Sequence, residues 1–475
     1  MRLLAVALGL TTALLAGASV APAADIGAND DFAKYQDDYG SAHFREMAAL
    51  GLRQVVVPVR FRPSEAVVIQ DKTQLDAVVP NALDAGLRVV LAVYPYPPRE
   101  LEAGLGSPSL FGSYVGAVAS IYPQVKQFVV GNEPNQPAFW RPQFDAAGAN
   151  VSAATFGGYL AAAYDSLKAV GKDITVVGVG LSPRGNDRPK AKSNISTSPV
   201  RFLRALGAWY RRSGRATPIM DAFSFHPYPN RATDPLERGY GWPNAGFVNL
   251  DRLKQALWDA FTGTAQPTPL DGLRLHLDEV GWQVSTARLP GYRGAENVPV
   301  TDEVTQAAIY GELVRRAACD PAVAEVNFFG FRDDGLRTGF QAGLLRVDGA
   351  LRPSAESVRA AIAETAGGCT RRLVSWQPHA DVLGARIDVV PAPTKVTARV
   401  GAGEDARGAL CVRASSSWLI GTPRCQRVAV PGTRPLNVSL PPAWALGTRF
   451  EIAVELTAVA NAKRRSRVVA RPGLR

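Results

Sequence analysis

Two glutamates in this chain stand where carboxyl chemistry can be done. The first lies in Phe128-Val129-Val130-Gly131-Asn132-Glu133-Pro134-Asn135, the second in Leu275-His276-Leu277-Asp278-Glu279-Val280-Gly281-Trp282. Each follows an apolar run that reads as a buried strand, and Pro134, which has no backbone N–H, ends the first. Two carboxyls on nearby strand ends are what retaining cleavage of a glycosidic bond needs. One protonates the departing oxygen and the other, ionised, attacks the anomeric carbon, with the two about 5–5.5 Å apart. Carboxyls that close push each other's pKa values apart, which separates the roles.

The elements that must position them are legible as alternating runs. β-rich stretches cover residues 54–60, 87–94, 125–131, 174–180, 222–225, 273–277 and 323–331, and a short one at 24–28 makes eight. Between them lie amphipathic stretches. Residues 156–170 place Tyr159, Ala163 and Leu167 on one face, and 200–212 and 250–261 behave alike. Strands apolar on both faces and separated by helices predict a buried parallel sheet. Eight such units over residues 24–369 predict a (β/α)₈ TIM barrel of the α/β class, whose catalytic residues come from strand ends. An open doubly wound sheet is the alternative, but no Gly-rich phosphate loop opens any of the helices.

The ends of the chain differ from this middle. Arg2, an apolar run over residues 3–15 and the small residues Ala21-Pro22-Ala23 read as an export leader spanning 1–23. That run is short for a membrane span of about 20 residues, and no later one is longer, so the protein is expected to be secreted with no membrane span. Residues 370–475 lose the helical pattern. Short alternating strands at 387–390, 395–400, 409–413, 426–430, 436–440 and 450–456 predict a small immunoglobulin-like β-sandwich. The basic run at 463–467 is either an edge strand or a tail. From residue 371 onward there are 17 Lys or Arg against 6 Asp or Glu, a surplus of 11 that equals the whole net charge of +11. A basic module suits an anionic cell-envelope polymer as partner, or simple solubility. Nucleic acid is not expected, since no recognition motif is present.

The four cysteines fit an oxidising compartment. Cys411 and Cys425 flank a predicted hairpin, and Cys319 and Cys369 follow the last two barrel helices, so disulfides are expected within each pair. No CxxC or Cys/His cluster calls for a metal, and no cofactor is expected.

The chain resembles clan A glycoside hydrolases, with families 39 and 5 as the nearest match, over residues 27–366. The residues that carry the resemblance are Gly131-Asn132-Glu133-Pro134-Asn135, Phe139-Trp140, His226-Pro227-Tyr228, Arg332-Asp333-Asp334-Gly335, Gly343-Leu344-Leu345 and Leu351-Arg352-Pro353-Ser354. Carried over residue by residue, the resemblance makes Glu133 the acid/base and Glu279 the nucleophile of a retaining enzyme acting on a poly- or oligosaccharide. One departure stands out: the eighth strand ends Phe329-Gly330-Phe331, where many clan members place a tryptophan, so Phe331 is the expected substitute.

The neighbours have physical roles to fill. Asn132 can hydrogen-bond a sugar 2-hydroxyl. His226 and Tyr228 end the sixth strand, with Tyr228 placed to donate to Glu279. Arg60 ends the second strand, where a fixed cation would keep Glu279 ionised. Trp282 is a candidate floor or wall, Tyr94 and Trp140 are candidate stacking surfaces, and Asp278 reads as a packed neighbour. Two other readings use the same residues: a carbohydrate-binding protein on a degenerate barrel, and a transglycosylase.

Overall fold

The computed structural model describes residues 23–296, 298–368, 376, 378, 385–390, 395–415, 423–432, 434–442, 449–459 and 465–470. The predicted leader, apart from Ala23, and the domain junction at 369–370 lie outside the described residues. Eight parallel strands close a barrel in sequential order: β1 (Asp25–Asn29), β2 (Gln54–Phe61), β3 (Arg88–Pro95), β4 (Gln127–Val130), β5 (Thr175–Leu181), β6 (Ala222–Phe225), β7 (Arg274–Val280) and β8 (Val323–Phe329). β8 returns to β1, pairing Phe329 with Asn29. The expected amphipathic helices form at Ser152–Val170, Pro199–Arg212 and Leu250–Phe261, each with its apolar face against the barrel. Among the described residues no helix is long and apolar enough to cross a membrane.

Side chains alternate across a strand, so every second residue enters the barrel. The inward set forms three layers. At the closed end, Glu325 accepts from Gln54 (2.9 Å), Gln127 (2.9 and 3.0 Å) and Arg88 (2.7 Å) and pairs with His276 Nδ1 at 3.0 Å. Barrel interiors are usually packed with branched apolar side chains; here a hydrogen-bonded layer takes that place, which the apolar runs of these strands do not reveal. Above it Val56, Val90, Ala92, Val129, Val177 and Ala222 form a small apolar layer. The third layer is the mouth.

Two bulges break the register at the mouth. Gly178 pairs with Phe223 but Leu181 with Phe225, and Leu277 pairs with Val326 but Val280 with Phe328. In each case three steps on one strand face two on the next, which re-aims the side chains between them. The second bulge carries Asp278 and Glu279. Strict alternation would send one of these neighbours outward; the slip lets Asp278 stay inside while Glu279 turns to the cavity. β7 therefore runs through both carboxyls rather than stopping before them, as its apolar run had suggested.

The C-terminal strands build two antiparallel sheets around one core. β9 (Arg386–Val390), β10 (Val396–Gly401) and β13 (Leu436–Leu440) make one; β11 (Ala406–Ser415), β12 (Arg424–Val430), β14 (Arg449–Ala458) and β15 (Arg465–Ala470) make the other. The strand Arg465–Ala470 begins inside the basic run and pairs with β14. Cys411 and Cys425 sit opposite each other on β11 and β12 and are disulfide-bonded. Cys319 is also in a disulfide; Cys369, its expected partner, lies outside the described residues.

Candidate active site

The mouth of the barrel holds two adjoining cavities, of about 760 and 440 Å³. Asn132, Phe139, Glu279 and Phe340 line both. Glu133 lines the smaller one; Asn29, Arg60, Tyr94, His226, Asp278 and Phe329 line the larger.

Local backbone sets Glu133. β4 ends at Val130, and Gly131 (φ 111°) and Glu133 (φ 40°) both take left-handed conformations. Such a φ strains a non-glycine residue by about 1–3 kcal/mol, so the surroundings must hold it. The hold comes from β5: the Glu133 N–H donates to the Gly180 carbonyl at 2.6 Å. Gly180 sits in the first bulge at φ 67°, and a Cβ there would meet the Gly131 carbonyl at 2.9 Å. Asn135 locks the following turn, its amide donating to the Ser182 and Thr197 carbonyls while Ser182 N–H donates to its Oδ1.

His226 ties the two carboxylates together. Its Nδ1 stands 3.3 Å from Glu133 Oε1 and 3.5 Å from Glu279 Oε2. Those oxygens can be no farther apart than these two distances end to end, which falls short of most of the roughly 6.5–9.5 Å spacing of inverting glycosidases. Glu279 also accepts from Tyr228 OH at 3.0 Å and from the Asn29 amide at 3.3 Å.

The charges are strongly coupled. Burial pushes Glu279 up, the His226 charge pulls it back, and Glu133 and Asp278 push it up again, to about 7. Burial opposes a charge on His226, but Glu279, Glu133 and Asp278 outweigh it and lift its pKa to about 9. Burial likewise lifts Asp278 to about 6 against the pull of His276, Ser224 and His226. The Ser224 hydroxyl donates to Asp278 Oδ2, and Oδ1 has no hydrogen-bond partner. Burial and the negative neighbours raise Tyr228 well above its usual range, so it is a donor at any working pH.

Below the mouth, His276, Asp278 and Glu325 bring one nitrogen and two carboxylate oxygens within 4.8 Å of one another, the metal-type spacing found among the described residues. Hydrogen bonds already occupy much of that group: Glu325 takes the donors named above and is held at about 2, burial being outweighed by His276, Arg88 and Gln127.

Of the sequence-predicted site residues, Glu133, Glu279, Asn132, His226, Tyr228, Arg60 and Tyr94 converge on the cavities. Arg60 does so with a different partner: its guanidinium pairs with Asp31 at 3.1 Å rather than with Glu279, and it lies over the Tyr96 ring. Three aromatics are corrected. Trp140 is buried edge-on against Phe156 and Tyr159, and its indole donates to Thr155; the neighbouring Phe139 lines the cavities instead. Trp282 is buried with its indole on the Asp234 carbonyl and lines neither cavity. Phe331 is fully buried edge-on to His43. The eighth-strand aromatic at the cavity is Phe329, packed against Phe340 and Tyr228 at 5.2 and 6.2 Å between ring centres.

Two contributors were missed. Asn29 is the last residue of β1, which the sequence reading ended one residue early; the strand-end rule applied there finds it. Phe340 comes from the long loop after β8 and carries no sequence signal.

No protein-family model matches the chain, and no curated protein matches it in sequence. Its backbone is similar to solved glycoside hydrolase structures. A family 39 glycoside hydrolase from Bacteroides cellulosilyticus WH2 is 14% identical with a TM-score of 0.49, over 88% of this chain and 81% of that one. A family 39 β-xylosidase from Caulobacter crescentus is 15% identical with a TM-score of 0.46, over 89% and 98%. GH5_18 from Streptomyces cattleya, solved with GlcNAc, is 17% identical with a TM-score of 0.49, over 75% and 83%.

Proposed function

We propose that the chain is an exported retaining glycoside hydrolase in which Glu279 is the nucleophile and Glu133 the acid/base. The observation that carries this reading is the single His226 nitrogen in reach of both carboxylates, which supports a spacing suited to double displacement rather than to a water held between distant carboxyls. Burial alone would make Glu279 the proton holder. The donors support the other assignment: Tyr228 and Asn29 hydrogen-bond Glu279 and the His226 charge stands 3.5 Å from it, all of which favour the charged form. Among the described residues, the hydrogen-bond partner of the Glu133 carboxylate is His226, and Glu133 lines the smaller cavity.

In the first step Glu279 attacks the anomeric carbon while Glu133 gives its proton to the leaving oxygen. In the second, Glu133 takes a proton from water, which attacks the same carbon and releases Glu279. The His226 charge balances the site as the proton moves. Phe329, Phe340 and Tyr94 offer apolar faces to the sugar. Among the described residues, none of those lining the two cavities comes from the C-terminal module, whose basic surplus suits an anchor on anionic envelope polymers.

The test is a panel of aryl glycosides and polysaccharides with two variants. Glu279→Ala loses turnover, by about 10⁴-fold or more. Glu133→Ala retains cleavage of aryl glycosides with good leaving groups and is accelerated by azide, giving a glycosyl azide of retained configuration. Full activity in either variant, or inverted product, overturns the assignment.

A further inference from the structure

One wall of the cleft carries positive charge that no carboxylate among the described residues neutralises. The smaller cavity lies on the Glu133 side, where the leaving group departs, and its rim includes Arg184 and Arg231. Arg184 donates to the Asn230 carbonyl at 3.0 Å and is hydrogen-bonded with the Tyr240 side chain. Among the described residues neither guanidinium is paired with a carboxylate, and the carboxylates lining this cavity are Glu133 and Glu279 themselves.

The surrounding loops keep the same sign. Between β5 and the helix Pro199–Arg212 the chain carries Arg184, Arg188, Lys190 and Lys192 against one acid, Asp187. Asp187 is turned away: it accepts from the Ser198 N–H and faces Arg201 at 3.6 Å. Across the cleft, the acids beside Arg231 are taken as well, Asp234 by Arg238 and Glu237 by Arg316. Of these cations, Arg184 and Arg231 line the cavity itself.

From this arrangement we infer that the leaving-group side of the cleft binds an anionic glycan, one bearing carboxylates or sulfate esters on the residues beyond the cleaved bond. The inference rests on the glycosidase reading of the glutamate pair and names its substrate class. Guanidinium groups present paired donors that match the two oxygens of a carboxylate or sulfate. A cleft rimmed by one sign of charge also gathers ligands of the other and loses that pull in salt.

Binding separates this inference from the chemistry. Glu279→Gln protein is titrated calorimetrically with hexamers of mannuronate, galacturonate and glucuronate, with their carboxyl-reduced counterparts, and with sulfated neutral hexamers. At least one acidic hexamer is expected to bind about tenfold or more tighter than its neutral counterpart at low salt. In R184Q/R231Q/E279Q that ratio falls to about threefold or less. A preference for uronates assigns a carboxylate ligand; a preference for the sulfated chains alone assigns a sulfate. Equal binding of charged and neutral chains, or a preference that survives in the arginine variant, overturns the inference. In active protein the same ratio is read from kcat/KM. A chain that cleaves nothing but keeps the charge preference overturns the glycosidase reading and leaves this one standing.

Discussion

The backbone N–H of Glu133 donates to the carbonyl of Gly180 at 2.6 Å, so the proposed acid is positioned by a bulge on the neighbouring strand and not by its own. That carbonyl is available only because Gly180 takes a left-handed conformation. The left-handed φ at Glu133 and the glycine at 180 are one device.

Gly180→Ala should therefore act on catalysis more than on folding. The new methyl would press on the Gly131 carbonyl at 2.9 Å and on Asn132 Cα at 3.3 Å. A displacement of about 1 Å at a reacting group costs roughly 100-fold in rate. The variant should stay folded, by thermal melt, and lose about that much kcat/KM on an aryl glycoside. Wild-type activity would detach Glu133 from the bulge.

The pH profile follows from Glu279. As the proposed nucleophile it must be ionised to attack, and its pKa is pushed up to about 7, so kcat/KM should fall as pH drops below that value. The His226 charge lowers the Glu279 pKa. Removing it in His226→Asn should move the acidic limb upward by about one pH unit. A limb that stays in place, measured from pH 4 to 9, would show that the imidazolium does not hold the nucleophile ionised.

Stability should carry the same signature with the opposite sign. Glu279 rises from its ordinary 4.5 to about 7 on folding. A raised folded pKa gives stability that is full below 4.5 and lost as pH rises through 7. Glu279→Gln has no such dependence. Relative to the parent it should gain as pH climbs from 5 to 8, by roughly 1–3 kcal/mol at pH 8 in denaturant melts. Parallel curves would mean that the carboxylate is not strained in the folded site.

The barrel floor gives a purely structural prediction. Glu325 is held at about 2, so its contribution is full above 4.5 and is lost as pH falls toward 2. Glu325→Leu leaves Arg88, Gln127 and His276 without their shared acceptor. Stripping one partner from a buried charged group costs about 3–5 kcal/mol. A large fall in Tm is expected, and a variant as stable as the parent would show that the layer repacks as an apolar one.

The sequence carried the barrel because its strands are apolar and its helices amphipathic, two periods that do not imitate each other. It carried Glu133, Asn132, His226 and Tyr228 because polar residues that end apolar strands must face the mouth. It did not carry Phe329 over Phe331. Alternation from Glu325 and Asn327 points to Phe329, but the choice needs the strand's inward phase. Trp140 and Trp282 failed for a related reason: an aromatic in a loop can face a cavity or the core, and its neighbours in sequence do not say which. The slip that turns Glu279 inward is a relation between two strands, and no single run of residues encodes it.

Glu325, His276, Asp278 and His226 stand in file from the closed end of the barrel to the mouth, each affecting the next by charge. In so little water, charge acts over longer distances than it does at a surface. The file makes the base of the molecule a remote bias on its working end. Arg88, whose side chain is partly exposed there, is a place where one substitution far from the cavities can retune the acidity of the mouth while the residues lining the cavities stay fixed.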